Sequence, residues 1–144
     1  MYGVESCVHP DYRSKGVGSK LMDARFNVLR RLNLRGLIAG AMPMDYHLSA
    51  HEVSIEQYVQ DVVEGKRYDT NLTKQLHKGF KVHNLIPNYI HDPRTHDWAV
   101  AIIWHNKDYI PGRPAEAPIF ETRRLVVPKP MPRIAAAFAG GIGD

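Results

Sequence analysis

Two glycines two residues apart, Gly16 and Gly18, lie in Arg13-Ser-Lys-Gly-Val-Gly-Ser-Lys20 between an apolar segment and an amphipathic one, and they constrain this chain more than any other feature. The preceding Val4-Glu-Ser-Cys-Val8 is rich in residues that suit a pleated strand, and His9-Pro10-Asp11 closes it. After the glycines, apolar residues recur at Val17, Leu21, Ala24, Val28 and Leu32, the spacing of one buried helical stripe, which predicts a helix over 16–33. Asn33 and Gly36 stop it, and Leu37-Ile-Ala-Gly-Ala41 forms a second strand ended by Pro43. Strand, turn, helix and strand of these lengths make a crossover unit with parallel strands. The glycine turn then sits at the carboxyl end of the first strand and at a helix N-terminus, where close backbone approach, free amides and the helix dipole favour an anion. Arg13 and Lys15 add full charges, and the main-chain amides from Ser14 to Ser19 can hold a diphosphate.

Further along, Ser54-Ile-Glu-Gln57 has the form of a capping box, followed by Ile55, Tyr58, Val59, Val62 and Val63 at helical spacing until Gly65. A shorter helix starts with Asp69 as its cap, buries Leu72 and Leu76, and ends on Gly79. Phe80 to Ile86 reads as extended. Trp98-Ala-Val-Ala-Ile-Ile-Trp104 is apolar on both faces and belongs inside a sheet, joined to the preceding strand as a long hairpin through His91-Asp-Pro-Arg-Thr-His-Asp97. Six of the ten prolines fall between Pro111 and Arg133, so residues 111–144 read as a mostly irregular tail, with Leu125-Val-Val127 as a short edge strand.

Composition narrows the classes. The 144 residues are 44% hydrophobic and 24% charged, which describes one globular domain. A single cysteine, Cys7, rules out an internal disulfide and paired-cysteine zinc sites, and points to a reducing cytoplasm. Within its apolar strand Cys7 is expected to be a buried small hydrophobe rather than a nucleophile. No apolar run approaches the eighteen or so residues of a membrane span. The formal charge of +4 is concentrated in Arg13, Lys15, Lys20, Arg25, Arg30, Arg31 and Arg35. Without interleaved aromatics, that run reads as a solvated face that attracts phosphate, and nucleic acid is not the expected partner. His47 and His51, four apart, could share a helix face, but no third ligand stands with them, so no metal site is expected.

Two common phosphate loops do not fit. Gly16-Val-Gly-Ser-Lys20 lacks the order of a nucleotide-triphosphate loop, and Leu21 stands where a dinucleotide fingerprint needs its third glycine. What remains is Arg/Gln-x-x-Gly-x-Gly/Ala, here Arg13-Ser-Lys-Gly16-Val-Gly18, with Gln75-Leu-His-Lys-Gly79-Phe80 and two strands following in order. Over roughly residues 2 to 105 the chain resembles the GNAT superfamily of N-acetyltransferases. The resemblance implies an α/β fold with a mixed sheet, in which residues 1–110 bind acetyl-coenzyme A, with a helical insertion at about 44–68. It implies cofactor contacts from Ser6, Cys7 and Val8 along the pantetheine arm and from Arg13, Ser14, Lys15, Gly16, Val17, Gly18 and Ser19 around the pyrophosphate. The expected reaction is transfer of the acetyl group to an amine by direct attack, without an acyl-enzyme, and Glu5 on the first strand is the expected base.

Two departures from the pattern matter. Many GNAT members carry a tyrosine four residues before the Gly-Phe pair as proton donor to the thiolate, whereas this chain has Gln75, which can hydrogen-bond the sulfur but cannot titrate. The cofactor motif also starts only thirteen residues into the chain, so relative to that family the fold is N-terminally truncated. The sequence is then a fragment, or a second copy or a partner chain completes the sheet along an exposed edge at Val4 to Val8. The competing readings are a non-catalytic coenzyme-A-binding or protein-interaction module of the same fold and, third, a basic nucleic-acid-binding module.

Overall fold

The computed structural model describes residues 1–3 and 6–116. The chain forms β1 (Tyr2–Gly3), α1 (Val17–Arg31), β2 (Gly36–Ala41), α2 (Ile55–Val63), α3 (Leu72–His77), β3 (Lys81–Ile86) and β4 (Ala99–His105). The four strands make one mixed sheet in the order β1-β2-β4-β3. β1 runs parallel to β2, as the crossover requires, and β4 is antiparallel to both of its neighbours.

Alternation along the strands decides which face is covered. On β2, Leu37, Ala39 and Ala41 point to one side, and on β4 Val100, Ile102 and Trp104 join them. All three helices pack there: Phe26 and Leu29 from α1, Tyr58 and Val59 from α2, and Leu72 from α3 belong to one cluster. The Phe26 ring stacks on Trp104 with centroids 4.2 Å apart, so this tryptophan is core, as its place in the strand predicts. Burying each of these large side chains contributes about 1.5–3 kcal/mol. Gly36 is needed where β2 begins, because a Cβ there would collide with the carbonyl of Trp104.

Helix ends follow the sequence signals with instructive differences. Ser54 caps α2 by accepting the Gln57 N–H at 3.3 Å, but Gln57 does not reach back; its side-chain amide donates to Asp61 one turn on at 2.8 Å. Asp69 serves α3 by accepting the N–H groups of Asn71 and Leu72 at 2.9 and 2.7 Å, and Gly79 ends that segment at φ +92°. His47 lies in a three-residue 3-10 turn, Tyr46–Leu48, that ends before His51, so the two histidines do not share a helix face.

The first strand is placed differently from the expected Val4–Val8. Pairing occurs earlier, with Tyr2 opposite Ile38 and Gly3 opposite Ala39. Val4 and Glu5 lie outside the described residues, and Ser6 to His9 are not strand. The cause is local: Arg13 Nε donates to the Val8 carbonyl at 3.1 Å, and a 3-10 turn over Pro10–Tyr12 follows directly. Cys7 is therefore exposed, not buried. The expected strand at Leu125–Val127 and most of the tail also lie outside the described residues.

Candidate functional site

The turn before α1 is built by two left-handed residues. Ser14 at φ +58° and Gly16 at φ +77° swing the chain from the 3-10 turn into the helix. Gly16 is the N-cap residue and carries no side chain to cap with; the first turn contains no acid. The first helical bond runs from Lys20 N–H to Gly16 C=O at 3.1 Å, so the N–H groups of Val17, Gly18 and Ser19 have no carbonyl within the helix to bond. Arg13, Ser14, Lys15, Gly16, Gly18 and Ser19 are all exposed, and Val17 is half-buried. A Cβ on Gly18 would meet only Val8 Cγ2, at an ordinary 3.8 Å. Free amides, the positive helix end and two neighbouring cations make a surface suited to an anionic group.

The basic residues at the far end of α1 and just beyond it divide from this group. Arg30 bonds Asp108 at 3.0 Å, Arg31 pairs with Glu116 at 3.5 Å, and Arg35 lies over the Tyr109 ring. These three hold the segment after β4 against the far end of the helix. The cations beside the turn are Arg13, whose Nε is bonded to Val8, and Lys15, whose Nζ lies 5.6 Å from the Tyr12 ring centroid.

β2 continues through Gly40 and Ala41, which pair with Ala101 and Val100 of β4, but among the described residues nothing pairs with them on the β1 side. The core face at this place is closed by Ala41 and the helices. On the opposite face Tyr89, from the connection between β3 and β4, lies flat on Gly40: a Cβ there would stand 2.7 Å from both Cζ and the hydroxyl oxygen. Its hydroxyl is 2.7 Å from that of Tyr2, a residue 87 positions away. Sequence reasoning missed this pair; the available signal was a glycine inside an otherwise apolar strand, which marks close approach of another group.

Gln75 is half-buried on α3. Asn71, Gln75 and Lys78 share one stripe, in which Asn71 Nδ2 donates to the Met42 carbonyl at 3.0 Å and Lys78 Nζ to Asp23 at 2.7 Å. Gln75 thus lies between anchors to the end of β2 and to α1. Its Oε1 is buried and has no hydrogen-bond partner among the described residues. An orphaned acceptor of this kind suits a donor supplied by a ligand.

The connection that carries Tyr89 is tied internally. Asp97 accepts the Asp92 N–H at 2.9 Å through its carboxylate and the Tyr89 N–H at 2.9 Å through its carbonyl. The hydrogen bond from Arg94 holds the Asp92 carboxyl down at about 2. A cleft of about 640 Å³ lies elsewhere, between α2, α3 and β3, lined by Val59, Val63, Leu76, Phe80 and Val82 among others. Among the described residues no three His, Cys, Asp or Glu side chains are grouped to hold a metal ion, and no helix is long and apolar enough to cross a membrane.

Among solved structures, the fold matches the GphF GNAT-like decarboxylase in complex with isobutyryl-CoA, with a TM-score of 0.60 at 23% identity over 69% of this chain and 52% of that one. The fold is GNAT-like. The loading GNATL domain of CurA from Lyngbya majuscula matches with a TM-score of 0.52 at 13% identity, over 73% of this chain and 54% of that one. In sequence, the chain is 33% identical over 109 residues to the Uncharacterized N-acetyltransferase YkwB of Bacillus subtilis (strain 168), covering 76% of this chain and 48% of that protein. It is 39% identical over 112 residues to the Probable hydrolase YhcX of the same organism, covering 77% of this chain but 22% of that protein. The chain thus spans about half or less of the length of these curated relatives. No protein-family model matches it. The GNAT-like architecture and the glycine turn at its place in the fold agree with the resemblance drawn from Arg13 to Gly18 and Gly79-Phe80.

Proposed function

We propose that this GNAT-like chain binds acetyl-coenzyme A and transfers its acetyl group to an amine. The observation that carries the reading is the uncapped, acid-free N-terminus of α1 beside Arg13 and Lys15. The amides of Val17, Gly18 and Ser19 would bond the pyrophosphate, with Ser14 and Gly16 shaping the turn and the two cations supplying charge. Ser6, Cys7 and Val8, which lead from the sheet to this turn, would line the pantetheine arm. The complex of GphF with isobutyryl-CoA supports a coenzyme A thioester as the ligand class, and the likeness to YkwB supports N-acetyl transfer.

A bound thioester supplies an activated carbonyl, and the chain's part is to orient it and to manage protons. Glu5, outside the described residues, is the proposed base for the incoming amine. Gln75 would hold the sulfur side by donating from its Nε2 amide, which does not titrate, so the proton for the leaving thiolate comes from water. The test is release of free thiol from acetyl-coenzyme A over a panel of primary amines. The reading expects amine-dependent release that falls at least about 100-fold in Glu5→Gln. Coenzyme A binding without amine-dependent release from any panel member would contradict the catalytic reading.

A further inference from the structure

We propose that the Tyr2–Tyr89 phenol pair is the acceptor-binding wall of this site, receiving the N–H of a primary amine on the sheet face opposite the helices. The inference rests on the acetyl-transfer reading above and adds the side from which the acceptor arrives and the groups that meet it. Three observations carry it. The first is closure: on the helix side of β2, Leu37 and Ala41 are 1% exposed and packed beneath all three helices, so an acceptor has no entry there. On the opposite face Ala101 is buried beside Gly40, but the β1 side is accessible, with Ile38 40% and Tyr2 53% exposed.

The second is position. Tyr2 pairs with Ile38 and the Tyr89 ring covers Gly40, so the two hydroxyls span from β1 to β2 on that face. That is the side of β2 along which the arm of the thioester would run. The third is chemistry. Two phenols 2.7 Å apart share one proton donation, which leaves lone pairs on both oxygens and one free O–H. This set accepts an amine N–H, and the ring faces add attraction for a cationic amine on its approach. In the transfer the amine nitrogen bonds to the carbonyl carbon, the carbon–sulfur bond breaks with its electron pair going to sulfur, and one proton passes in net from nitrogen to the thiol. The phenols only hold the nitrogen, and Gly40 lets Tyr89 lie close enough to do so.

The experiment measures calorimetric affinities of the full chain, Tyr2→Phe and Tyr89→Phe for two probes. One probe is coenzyme A; the other is its S-linked conjugate CoA-S-CH2-CO-NH-CH3, which carries an acceptor-like N–H beyond the sulfur. The inference expects coenzyme A to bind all three proteins alike and the conjugate to bind about tenfold more weakly to each phenylalanine variant. Equal affinities of the conjugate for all three proteins, or equal weakening of both probes, would overturn it while leaving the coenzyme A site intact. No binding of coenzyme A to the unaltered chain would remove the underlying reading and the inference together.

Discussion

Two helices begin at the same end of the sheet and solve the same problem in opposite ways. α3 is served by the chain itself: Asp69, fully buried, accepts the N–H groups of Asn71 and Leu72 on Oδ1, and the Asp45 N–H and Tyr58 hydroxyl on Oδ2. Among the described residues α1 has no such acceptor; Gly16 holds its cap position and Arg13 and Lys15 stand nearby. The first helix start is a finished structural joint. The second, we propose, leaves its amides to an anion from outside. The contrast shows that this fold can supply an internal carboxylate at a helix start, as it does at α3.

Breaking the finished joint has the largest expected effect on stability. Asp69→Ala leaves four donors without their acceptor in a buried place, and we expect a loss of about 3 kcal/mol in denaturant unfolding. Gly16→Ala places a side chain at φ +77° with open space around it, so the cost is backbone strain of about 1–2 kcal/mol. A loss of affinity for coenzyme A should accompany it, because the turn that aims the amides shifts; unchanged affinity would show that Gly16 does not shape the site.

The smallest effect concerns pH. Burial, and then the Asp69 charge, push the Tyr58 hydroxyl well above its ordinary value of 10.0. A pKa raised on folding gives stability that is fully present below the unfolded value and lost as pH climbs toward the folded one. Stability should therefore fall above pH 10, by on the order of 1 kcal/mol per pH unit, and the fall should flatten in Tyr58→Phe. An equally steep alkaline fall in the variant would place its origin elsewhere.

What was legible in the sequence was whatever local chemistry decides. The helical spacing from Val17 to Leu32, the cap at Ser54, the Asp69 carboxylate and the stop at Gly79 each act over a few residues, and the structure has them close to their expected places. The apolar run to Trp104 identified the interior strand because burial on both faces leaves no polar position in it. The strand expected at Val4–Val8 misplaced the pairing because propensity says nothing of where a chain leaves a sheet; the Arg13–Val8 bond, a side-chain contact that strand propensity does not register, helps to fix the Val8 end. Cys7 followed that error. The Tyr2–Tyr89 pair joins the first strand to the last connection, a separation over which no periodicity carries information.

The central claim is that α1 takes its missing anion from coenzyme A, and Gly18→Glu tests it by supplying that anion from within. A Cβ at this position meets only Val8 Cγ2, at 3.8 Å, so the backbone has room for the substitution. Replacing a helical glycine and adding a carboxylate at the positive helix end should raise stability by about 1 kcal/mol. Calorimetric titration of coenzyme A into the full chain and into Gly18→Glu, beside thermal unfolding of both, is the direct measurement. We predict one binding site in the unaltered chain, none detectable in the variant, and an unfolding temperature at least as high in the variant. Equal binding to both proteins, or none to the unaltered chain, would contradict the account.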